Sequence, residues 1–386
     1  MVNEYLPGLE GVPATKSNIS DIDGERGILS YRGYSIEQLA EHSTFEETTL
    51  LLLDGVLPTA VELANFDDQL RRNRVVQYHV RELMKTLPST GHPMEMLQTA
   101  VASLGMFYPG NECLTGSDVC DDLSYVHRMT VKIIARMGTI VAMWEHIRNG
   151  YDPIPPRDDL TYAENFLYML TGKDPDPQIA RILDICLILH AEHTINASTF
   201  SMLVSGSTLA TPNSVMASAI ATLSGPLHGG ANERVLEMLA EIGSPDKAEA
   251  YVENKLANKD VIWGMGHREY KTKDPRATIL QKLVKDLLES RDSAANSTFE
   301  TAMAVEKAAE DRLASKGVYA NVDFYSGILY EAMGIPADQF TAIFAISRSA
   351  GWLAHWREQL RGNRIFRPTQ VYTGEPPRDY VPLDKR

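Results

Sequence analysis

Apolar positions recur at helical spacing along most of the chain after residue 35. Three pairs with capping-box spacing mark helix starts, namely Ser35 with Gln38, Thr44 with Glu47, and Thr59 with Glu62. The run from Leu50 to Leu53, followed by Asp54-Gly55, predicts a buried helix that ends at a glycine. Residues Ile179 to Leu189 are apolar on nearly every face, which predicts a helix in the centre of the core.

The two ends of the chain lack this helical pattern. Residues up to about Tyr34 are rich in glycine and β-branched residues, which favours short strands or an extended arm. A helix is predicted after Ser347, ending at about Gly362. Beyond it, prolines and glycines exclude a helix and predict an extended C-terminal arm; they are Pro368, Gly374, Pro376, Pro377 and Pro382.

Glycine and proline interrupt the helical pattern at Ser224-Gly-Pro-Leu-His-Gly-Gly230, which predicts a hinge. The helical runs after it are sufficient to form a smaller unit before the chain returns to the main body. We therefore predict an all-α, multi-helical protein with two lobes. The large helical domain comprises residues 1–227 and 328–386, and the small helical domain comprises residues 228–327. No repeat of fixed period is present, which argues against a solenoid.

Composition narrows the classes of partner. The chain has 386 residues and a formal net charge of −14, and nucleic acid binding needs a basic surface instead. No apolar run reaches the length of a membrane span, and the N-terminus lacks an apolar signal core. Cys113, Cys120 and Cys186 are an odd number without metal-ligand spacing, which fits a reducing compartment better than a disulfide framework. We expect a soluble, cytoplasmic protein without nucleic acid or membrane partners.

The stretch from Val261 to Arg276 is the first candidate for chemistry. Gly264 and Gly266 allow positive φ and a close approach of backbone to a ligand, and His267 follows at once. Four cations come next in an otherwise acidic chain, namely Arg268, Lys271, Lys273 and Arg276. Taken alone, such a turn is more often plain loop, and its spacing matches neither the dinucleotide fingerprint nor the P-loop.

His228 directly precedes a predicted helix start. The positive end of a helix dipole disfavours a second positive charge, so this imidazole should stay neutral. A neutral histidine with a fixed N–H can stabilise a developing oxyanion. The alternative interpretation is a helix-terminal histidine that only caps backbone.

Asp323 lies among apolar and aromatic residues, in Ala-Asn-Val-Asp-Phe-Tyr-Ser-Gly. Desolvation there would raise the pKa of its carboxyl and make it a stronger base. The alternative is an N-cap aspartate of the helix that follows.

His190 and His193, three residues apart, are predicted to share a helix face. That spacing suits a metal, but such a pair is more often a hydrogen-bonded core cluster.

Three arginines stand out, although each one alone reads as a surface charge. Arg276 belongs to the loop described above, and Arg367 begins the C-terminal arm. Arg348 lies in the otherwise apolar Phe-Ala-Ile-Ser-Arg-Ser-Ala-Gly-Trp-Leu, where a buried guanidinium needs an anion.

In combination, these motifs closely resemble the citrate synthase family. The matching segments, in order, are Leu-His-Ala-Glu-His, Gly-Pro-Leu-His-Gly-Gly-Ala-Asn, Gly-Met-Gly-His-Arg with Asp-Pro-Arg, Asn-Val-Asp-Phe-Tyr-Ser-Gly, Ser-Arg and Arg-Pro. The opening Asp-Gly-Glu-Arg-Gly-Ile-Leu-Ser-Tyr-Arg-Gly-Tyr is similar to the compact bacterial form. The resemblance covers nearly the whole chain. Glu192 stands where the family commonly has Asp, and Glu269 where an apolar residue is common.

The resemblance implies condensation of acetyl-CoA with oxaloacetate, followed by thioester hydrolysis to citrate, the entry step of the tricarboxylic acid cycle. It implies that Asp323 is the base that removes a methyl proton, while His228 donates to the enolate oxygen. His267 would polarise and protonate the oxaloacetate carbonyl. No metal or other cofactor is required, because the coenzyme A thioester is a substrate.

The resemblance also implies how the substrates are held. The oxaloacetate carboxylates would be bound by His193, Arg276, Arg348 and Arg367. Coenzyme A would face Gly264, Met265, Gly266 and Lys271. Because the family places the Arg-Pro arginine in the neighbouring active site, Arg367 implies a homodimer, and higher oligomers remain open. Closure of the small domain over the large one is expected.

Three alternatives stay open at this point. A 2-methylcitrate synthase would use propionyl-CoA with the same residues, since one methylene is worth only about 1–3 kcal/mol of pocket discrimination. A metallohydrolase would use His190, His193 and Asp323 as ligands. A helical scaffold without catalysis would leave the buried arginine in the Ser-Arg motif unexplained.

Overall fold

The computed structural model describes residues 5–107, 123–289 and 295–386. Helices dominate the described residues, which confirms the all-α prediction. The α-helices are α1 Ile36–His42, α2 Phe45–Asp54, α3 Ala60–Arg72, α4 Tyr78–Thr86, α5 Pro93–Leu104, α6 Leu123–Arg148, α7 Tyr162–Thr171, α8 Pro177–His190, α9 Ala197–Ser207, α10 Pro212–Leu223, α11 Ala231–Ile242, α12 Ala248–Asn258, α13 Pro275–Glu289, α14 Ala295–Leu313, α15 Val322–Ala332 and α16 Phe340–Leu360. Short 3₁₀ turns lie at Pro7–Leu9, Gly105–Phe107, Pro245–Lys247, Ala314–Lys316, Ala337–Gln339 and Leu383–Lys385.

A small antiparallel sheet precedes the helices, as the sequence predicted. Its strands, β1 Ser20–Asp23, β2 Ile28–Tyr31 and β3 Tyr34–Ser35, pair in the order β1-β2-β3. In the register of the first pair, Ser20 lies opposite Tyr31. The turn between β1 and β2 contacts the loop before α13, where the backbone N–H of Lys271 donates to Gly24 O at 2.9 Å.

The predicted helix starts and stops are present. The side chains of Ser35 and Thr44 accept backbone hydrogen bonds at the starts of α1 and α2. Thr59 and Glu62 form a complete capping box at α3. Gly55 ends α2 with a φ of 90°, a left-handed conformation that glycine adopts without steric penalty.

Two helices run through the centre of the core. Nearly every residue of α8 is buried, as predicted for Ile179 to Leu189. α16 packs against α2, α6, α8 and α9. It begins already at Phe340, so the prediction of a helix only after Ser347 is wrong. The segment Phe340–Ala350 is buried on all faces, and it therefore carries no amphipathic signal of a helix.

The helices α11 to α15 pack against one another, with α13 and α11 both on α15 and α12 on α14. They occupy most of the range 228–327, and the division into two domains at its ends stays a prediction. After α16 the described chain holds only a 3₁₀ turn, in agreement with the predicted extended arm.

Among the described residues, no helix is long and apolar enough to cross a membrane. Cys186 is a buried free thiol, whereas Cys113 and Cys120 lie outside the described residues.

Candidate active site

The loop after α8 carries His193. Because α8 ends at His190, the two histidines do not share a helix face, and that prediction is wrong. Nδ1 of His190 donates to Cys186 O at 2.8 Å, and burial lowers the pKa of this imidazole to about 3. Thr194, with a φ of 53°, turns the chain toward α9. His190 is therefore part of the core, and His193 is free to face the site.

A buried carboxylate holds this loop in place. Glu192 is fully buried, and its Oε1 accepts from His355 Nε2 and from Ser20 Oγ, each at 2.9 Å. The hydroxyl of Tyr31 donates to the carbonyl of Glu192 at 2.8 Å. Ser20 Oγ also accepts from the backbone N–H of Thr194 at 3.1 Å. The loop is thus tied to β1, β2 and α16 at once, which restricts its movement.

His228 lies in the turn between α10 and α11. Its Nε2 accepts from the backbone N–H of Ser198 at 3.3 Å and lies 2.8 Å from Ser198 Oγ. Burial, with the charge of Arg348, lowers the pKa of His228 to about 4, so the imidazole is neutral. A backbone N–H can only donate, so Nε2 has no hydrogen and Nδ1 carries it. The capping interpretation holds in part, because His228 caps α9 rather than its own helix.

His267 has the opposite tautomer. Its Nδ1 accepts from the backbone N–H groups of Glu269 at 3.0 Å and Tyr270 at 3.4 Å. Burial, followed by the charge of Arg276, lowers the pKa of His267 to about 4. The single hydrogen of this neutral ring is therefore on Nε2. Both histidines present one N–H, from different ring nitrogens.

The turn before His267 requires its two glycines. Gly264 and Gly266 have φ of 77° and 88°, as predicted. A Cβ on Gly264 would lie 2.7 Å from Phe324 Cδ2, so the close approach is to α15. Asn321 donates its backbone N–H to Gly264 O and its side-chain Nδ2 to Gly266 O, each at 2.9 Å. The turn and the start of α15 are therefore held together.

Asp323 lies in the first turn of α15. The alternative that it is the N-cap is wrong, because Asn321 is the cap and its Oδ1 accepts from Asp323 N–H at 3.0 Å. Oδ1 of Asp323 is buried and accepts no hydrogen bond from the described residues. Burial raises the pKa of Asp323 to about 7, against the opposing charges of Arg276 and Arg348. It is thus a carboxylate with an unused acceptor oxygen.

Arg276 begins α13 and is fully buried. Its Nε and Nη2 donate to the two oxygens of Asp274 at 3.0 and 2.7 Å, and Asp274 is buried as well. A bidentate pair of this kind fixes the plane of the guanidinium. Within the described residues Nη1 has no acceptor, which leaves it for an external anion.

Arg348 lies in the middle of α16. Its Nε donates to the carbonyl of His190 at 2.7 Å, and its guanidinium stacks over the ring of Phe344 at 4.7 Å. No carboxylate of the described chain lies within 4 Å of it, and burial lowers its pKa to about 10. The charges of Glu192 and Asp323 act on it from a greater distance, and a buried cation without a directly bonded carboxylate attracts a negatively charged ligand.

Two predicted residues stand apart from this group. Arg367 is exposed on the C-terminal arm, where its Nη1 donates to Pro368 O at 2.8 Å. With Phe200 and Leu203 of α9, it lines a groove of about 740 Å³. Lys271 is also exposed, and its Nζ donates to Arg268 O at 3.2 Å. Within the described residues, no hydrogen bond or ion pair joins Arg367 to His193, His228 or His267.

The remaining predicted residues form one cluster. The ring centroids of His193 and His267 are 5.0 Å apart, and burial holds the pKa of His193 well below its usual value, assisted by the nearby charges. The members of this cluster are His193, His228, His267, Arg276, Arg348 and Asp323. The cluster combines an unused carboxylate oxygen, neutral N–H donors and two cations. Such a site can remove a proton beside a carbonyl group and stabilise the anion that forms.

Four contributors were not found from the sequence: Ser198, Tyr270, Asp274 and Asn321. Asp274 directly precedes Pro275 and Arg276 in the Asp-Pro-Arg motif, and this motif was the available signal. Asn321 could have been recognised as an N-cap two residues before Asp323. Ser198 and Tyr270 act through contacts that the fold creates. Among the described residues, no three His, Cys, Asp or Glu side chains are grouped to hold a metal ion.

Comparison with known proteins identifies the family. A family model described as citrate synthase, C-terminal domain, matches residues 8–369. A citrate synthase of Acidithiobacillus ferridurans is 61% identical over 99% of this chain and 98% of its own. A citrate synthase of Synechocystis sp. is 52% identical over 99% of this chain and 94% of its own.

Solved structures give the same result for the fold. Citrate synthase of Pyrobaculum aerophilum has a TM-score of 0.90 at 42% identity, covering 98% of this chain and 95% of its own. The ternary complex of Thermoplasma acidophilum citrate synthase with carboxymethyl coenzyme A and oxaloacetate has a TM-score of 0.93 at 32% identity, covering 99% and 100%. The chain therefore belongs to the citrate synthase family, whose members are transferases that catalyse an acyl-transfer condensation.

Proposed function

We propose that this protein is a citrate synthase that condenses acetyl-CoA with oxaloacetate and hydrolyses the product thioester to citrate and coenzyme A. The observation that carries the proposal is that two neutral histidines with opposite tautomers and the unpartnered oxygen of Asp323 share the same two buried arginines, Arg276 and Arg348. His228 offers Nδ1–H and His267 offers Nε2–H. Two carbonyl oxygens take part in the reaction, and each needs one donor.

In the first step, Asp323 removes a proton from the methyl group of acetyl-CoA. This proton is very weakly acidic, and a base with a raised pKa that is free to accept it is favoured. The Nδ1–H of His228 donates to the thioester oxygen as negative charge develops there. Because its low pKa keeps the ring neutral, His228 stabilises this charge through a hydrogen bond and not as a cation.

In the second step, the enolate carbon attacks the keto carbon of oxaloacetate. The Nε2–H of His267 polarises that carbonyl oxygen and gives it a proton. The proton that Asp323 took from the methyl group is then returned to His267 through solvent, so both groups regain their starting state. Arg276 and Arg348, with His193, hold the two carboxylates, since the free Nη1 and the uncompensated guanidinium suit anions. Water then adds to the thioester carbonyl, the C–S bond breaks, and coenzyme A leaves as its thiol.

Thiol release from acetyl-CoA in the presence of oxaloacetate tests the proposal. We expect rapid, oxaloacetate-dependent release and formation of citrate. The same assay with propionyl-CoA should give a lower kcat/KM. A higher kcat/KM for propionyl-CoA would instead identify a 2-methylcitrate synthase, and no release with either thioester would reject both.

We propose that the reaction needs neither a metal nor another cofactor. The two arginines and the histidines supply the charges and donors that the substrates require. Full activity in excess chelator is expected.

The bacterial relatives also support a cytoplasmic location, which fractionation of the source cells would test.

We propose that residues 228–327 close over the rest of the chain when oxaloacetate binds. His267 and Asp323 belong to this range, whereas His193 and Arg348 lie outside it. A ligand that contacts both groups favours the closed form. The coenzyme A site, proposed at Gly264, Met265, Gly266 and Lys271, would then be completed. Equal affinity for acetyl-CoA with and without oxaloacetate would reject this coupling.

We propose a homodimer in which Arg367 acts in the partner's active site. The arm is extended and exposed, and it leaves Arg367 without a contact to its own site. Inactive Arg367→Ala chains mixed with inactive Asp323→Ala chains should regain roughly a quarter of wild-type activity after random exchange in a two-fold dimer. An absence of recovery, with complete exchange demonstrated, would show that the arm serves its own chain.

A further inference from the structure

Tyr270 contacts two of the site histidines. The sequence motifs did not single it out, and the proposed reaction gives it no role. Its side chain is buried, with its ring centroid 4.8 Å from that of His267 and 5.6 Å from that of His193. Its backbone N–H is directed at His267 Nδ1. Its hydroxyl lies 3.1 Å from His193 Nε2. Tyr270 thus joins the two imidazoles through different groups.

The protonation of both partners is restricted. Burial raises the pKa of Tyr270, so the hydroxyl keeps its hydrogen. Burial and the charge of Arg276 hold the pKa of His193 low, so the ring is neutral and has a single N–H. Two arrangements satisfy the contact. Either the hydroxyl donates and the hydrogen of the ring is on Nδ1, or Nε2–H donates and Nδ1 has a bare lone pair.

The surroundings of Nδ1 distinguish these arrangements. No described residue forms a hydrogen bond with this nitrogen, whereas Arg276 and Arg348 act on the same ring. A ligand bound between these arginines is an anion, and a carboxylate can only accept hydrogen bonds. A bare lone pair on Nδ1 would repel it, while an Nδ1–H would donate to it.

We propose that Tyr270 is a positioning residue that fixes the tautomer of His193. Its hydroxyl donates to Nε2, which leaves the hydrogen on Nδ1 to bind a substrate carboxylate. This inference rests on the proposed function, which supplies the dicarboxylate. His228 and His267 are fixed in the same way by backbone N–H groups. In the described residues, no backbone N–H contacts His193 Nε2, so a substitution of Tyr270 removes the donor that fixes this ring.

Tyr270→Phe tests the inference, because it removes the donor and keeps the ring. The dissociation constant of oxaloacetate, measured by calorimetry without thioester, should rise about tenfold, as should KM for oxaloacetate. We expect kcat and KM for acetyl-CoA to stay within about threefold of wild type. Tyr162→Phe is the matched control, since that buried hydroxyl donates to Ile134 O at 2.7 Å and touches no site residue. An oxaloacetate affinity of Tyr270→Phe within twofold of wild type overturns the proposal.

A double-mutant cycle separates tautomer control from simple packing. In His193→Asn the side-chain amide nitrogen takes the position of Nδ1, and an amide has no tautomers. In that background, Tyr270→Phe should change oxaloacetate affinity by less than about twofold. A persistent tenfold loss would show that the hydroxyl acts on packing, which overturns the proposed role.

Nitrogen NMR of wild-type protein labelled at histidine gives a result even if Tyr270→Phe does not fold. The signals of His193 are assigned by their loss in His193→Asn. We expect Nε2 to resonate as a non-protonated nitrogen and Nδ1 as a protonated one. The reverse pattern overturns the proposal. This measurement needs no turnover, so it is independent of whether wild-type protein forms citrate, which tests the proposed function separately.

Discussion

Two buried carboxyl groups in this protein have nearly the same acidity and very different surroundings. Burial raises the pKa of Asp323 to about 7 and that of Glu46 to about 7. Glu46, on α2, accepts the backbone N–H of Tyr162 at the start of α7 at 2.7 Å. It lies beside Asp184, which is itself held by the backbone N–H of Phe45. Its role is to join helices.

Asp323 differs from Glu46 because one of its carboxyl oxygens has no hydrogen-bond donor in the described part of the chain. Its Oδ1 has no hydrogen bond within the described residues, and the charges of Arg276 and Arg348 act on it. A raised pKa therefore does not by itself identify a catalytic base, because burial raises it wherever a carboxyl is enclosed. An unused acceptor oxygen that shares two buried arginines with fixed N–H donors is the more informative combination.

The largest expected effect is a loss of activity on substitution of Asp323, which Glu46 should not share. Asp323→Asn keeps the shape of the side chain and removes the proposed proton acceptor. We expect kcat to fall by a factor on the order of 10² or more, with oxaloacetate affinity within a few-fold of wild type. Steady-state kinetics and calorimetry measure both quantities. A kcat close to that of wild type would mean that another group removes the proton.

A smaller effect is expected at the other carboxyl, and it concerns stability. Because the folded-state pKa of Glu46 is raised above its unfolded value, its stabilising contribution is complete below about pH 4.5. That contribution is lost as pH rises through about 7. Glu46→Gln cannot ionise and still accepts from Tyr162. We expect it to raise the free energy of unfolding at pH 8 by about 1–3 kcal/mol, and to change it little at pH 5.

Denaturant unfolding at both pH values measures this change. The exposed Glu41→Gln is the control, and it should shift the free energy of unfolding by less than about 0.5 kcal/mol at either pH. Glu46→Gln should also keep wild-type kcat. A large loss of kcat in this variant, or equal stabilisation at both pH values, would remove the distinction drawn between the two carboxyl groups.

Much of the fold followed from local signals in the sequence. Capping residues such as Thr59 act within four positions of the helix they start, so they are visible in the sequence. The start of α16 was missed because its first turns are apolar on all faces and Gln339, its N-cap, forms no side-chain cap. Where burial is complete, periodicity disappears and the boundary cannot be read.

The site was predictable only in part, for a related reason. With the exception of Arg367, the histidine and arginine motifs pointed to residues that the fold brings together. The groups that orient them come from far along the chain: Tyr270 is 77 positions from His193, and His355 is 163 positions from Glu192. Neither partner has a local pattern, because the hydrogen bond that connects it exists only in the folded chain.

The buried guanidinium of Arg348, which forms no ion pair with a carboxylate of the described residues, would make the stability of the fold depend on a bound anion. A buried cation that lacks a carboxylate partner destabilises the empty fold, and a bound dianion removes that penalty. A ligand present at one hundred times its dissociation constant adds about 2.7 kcal/mol to the folded state. Under the proposed function, the dicarboxylate substrate would therefore act as a stabilising ligand, and the folded chain should resist proteolysis better when that substrate is present.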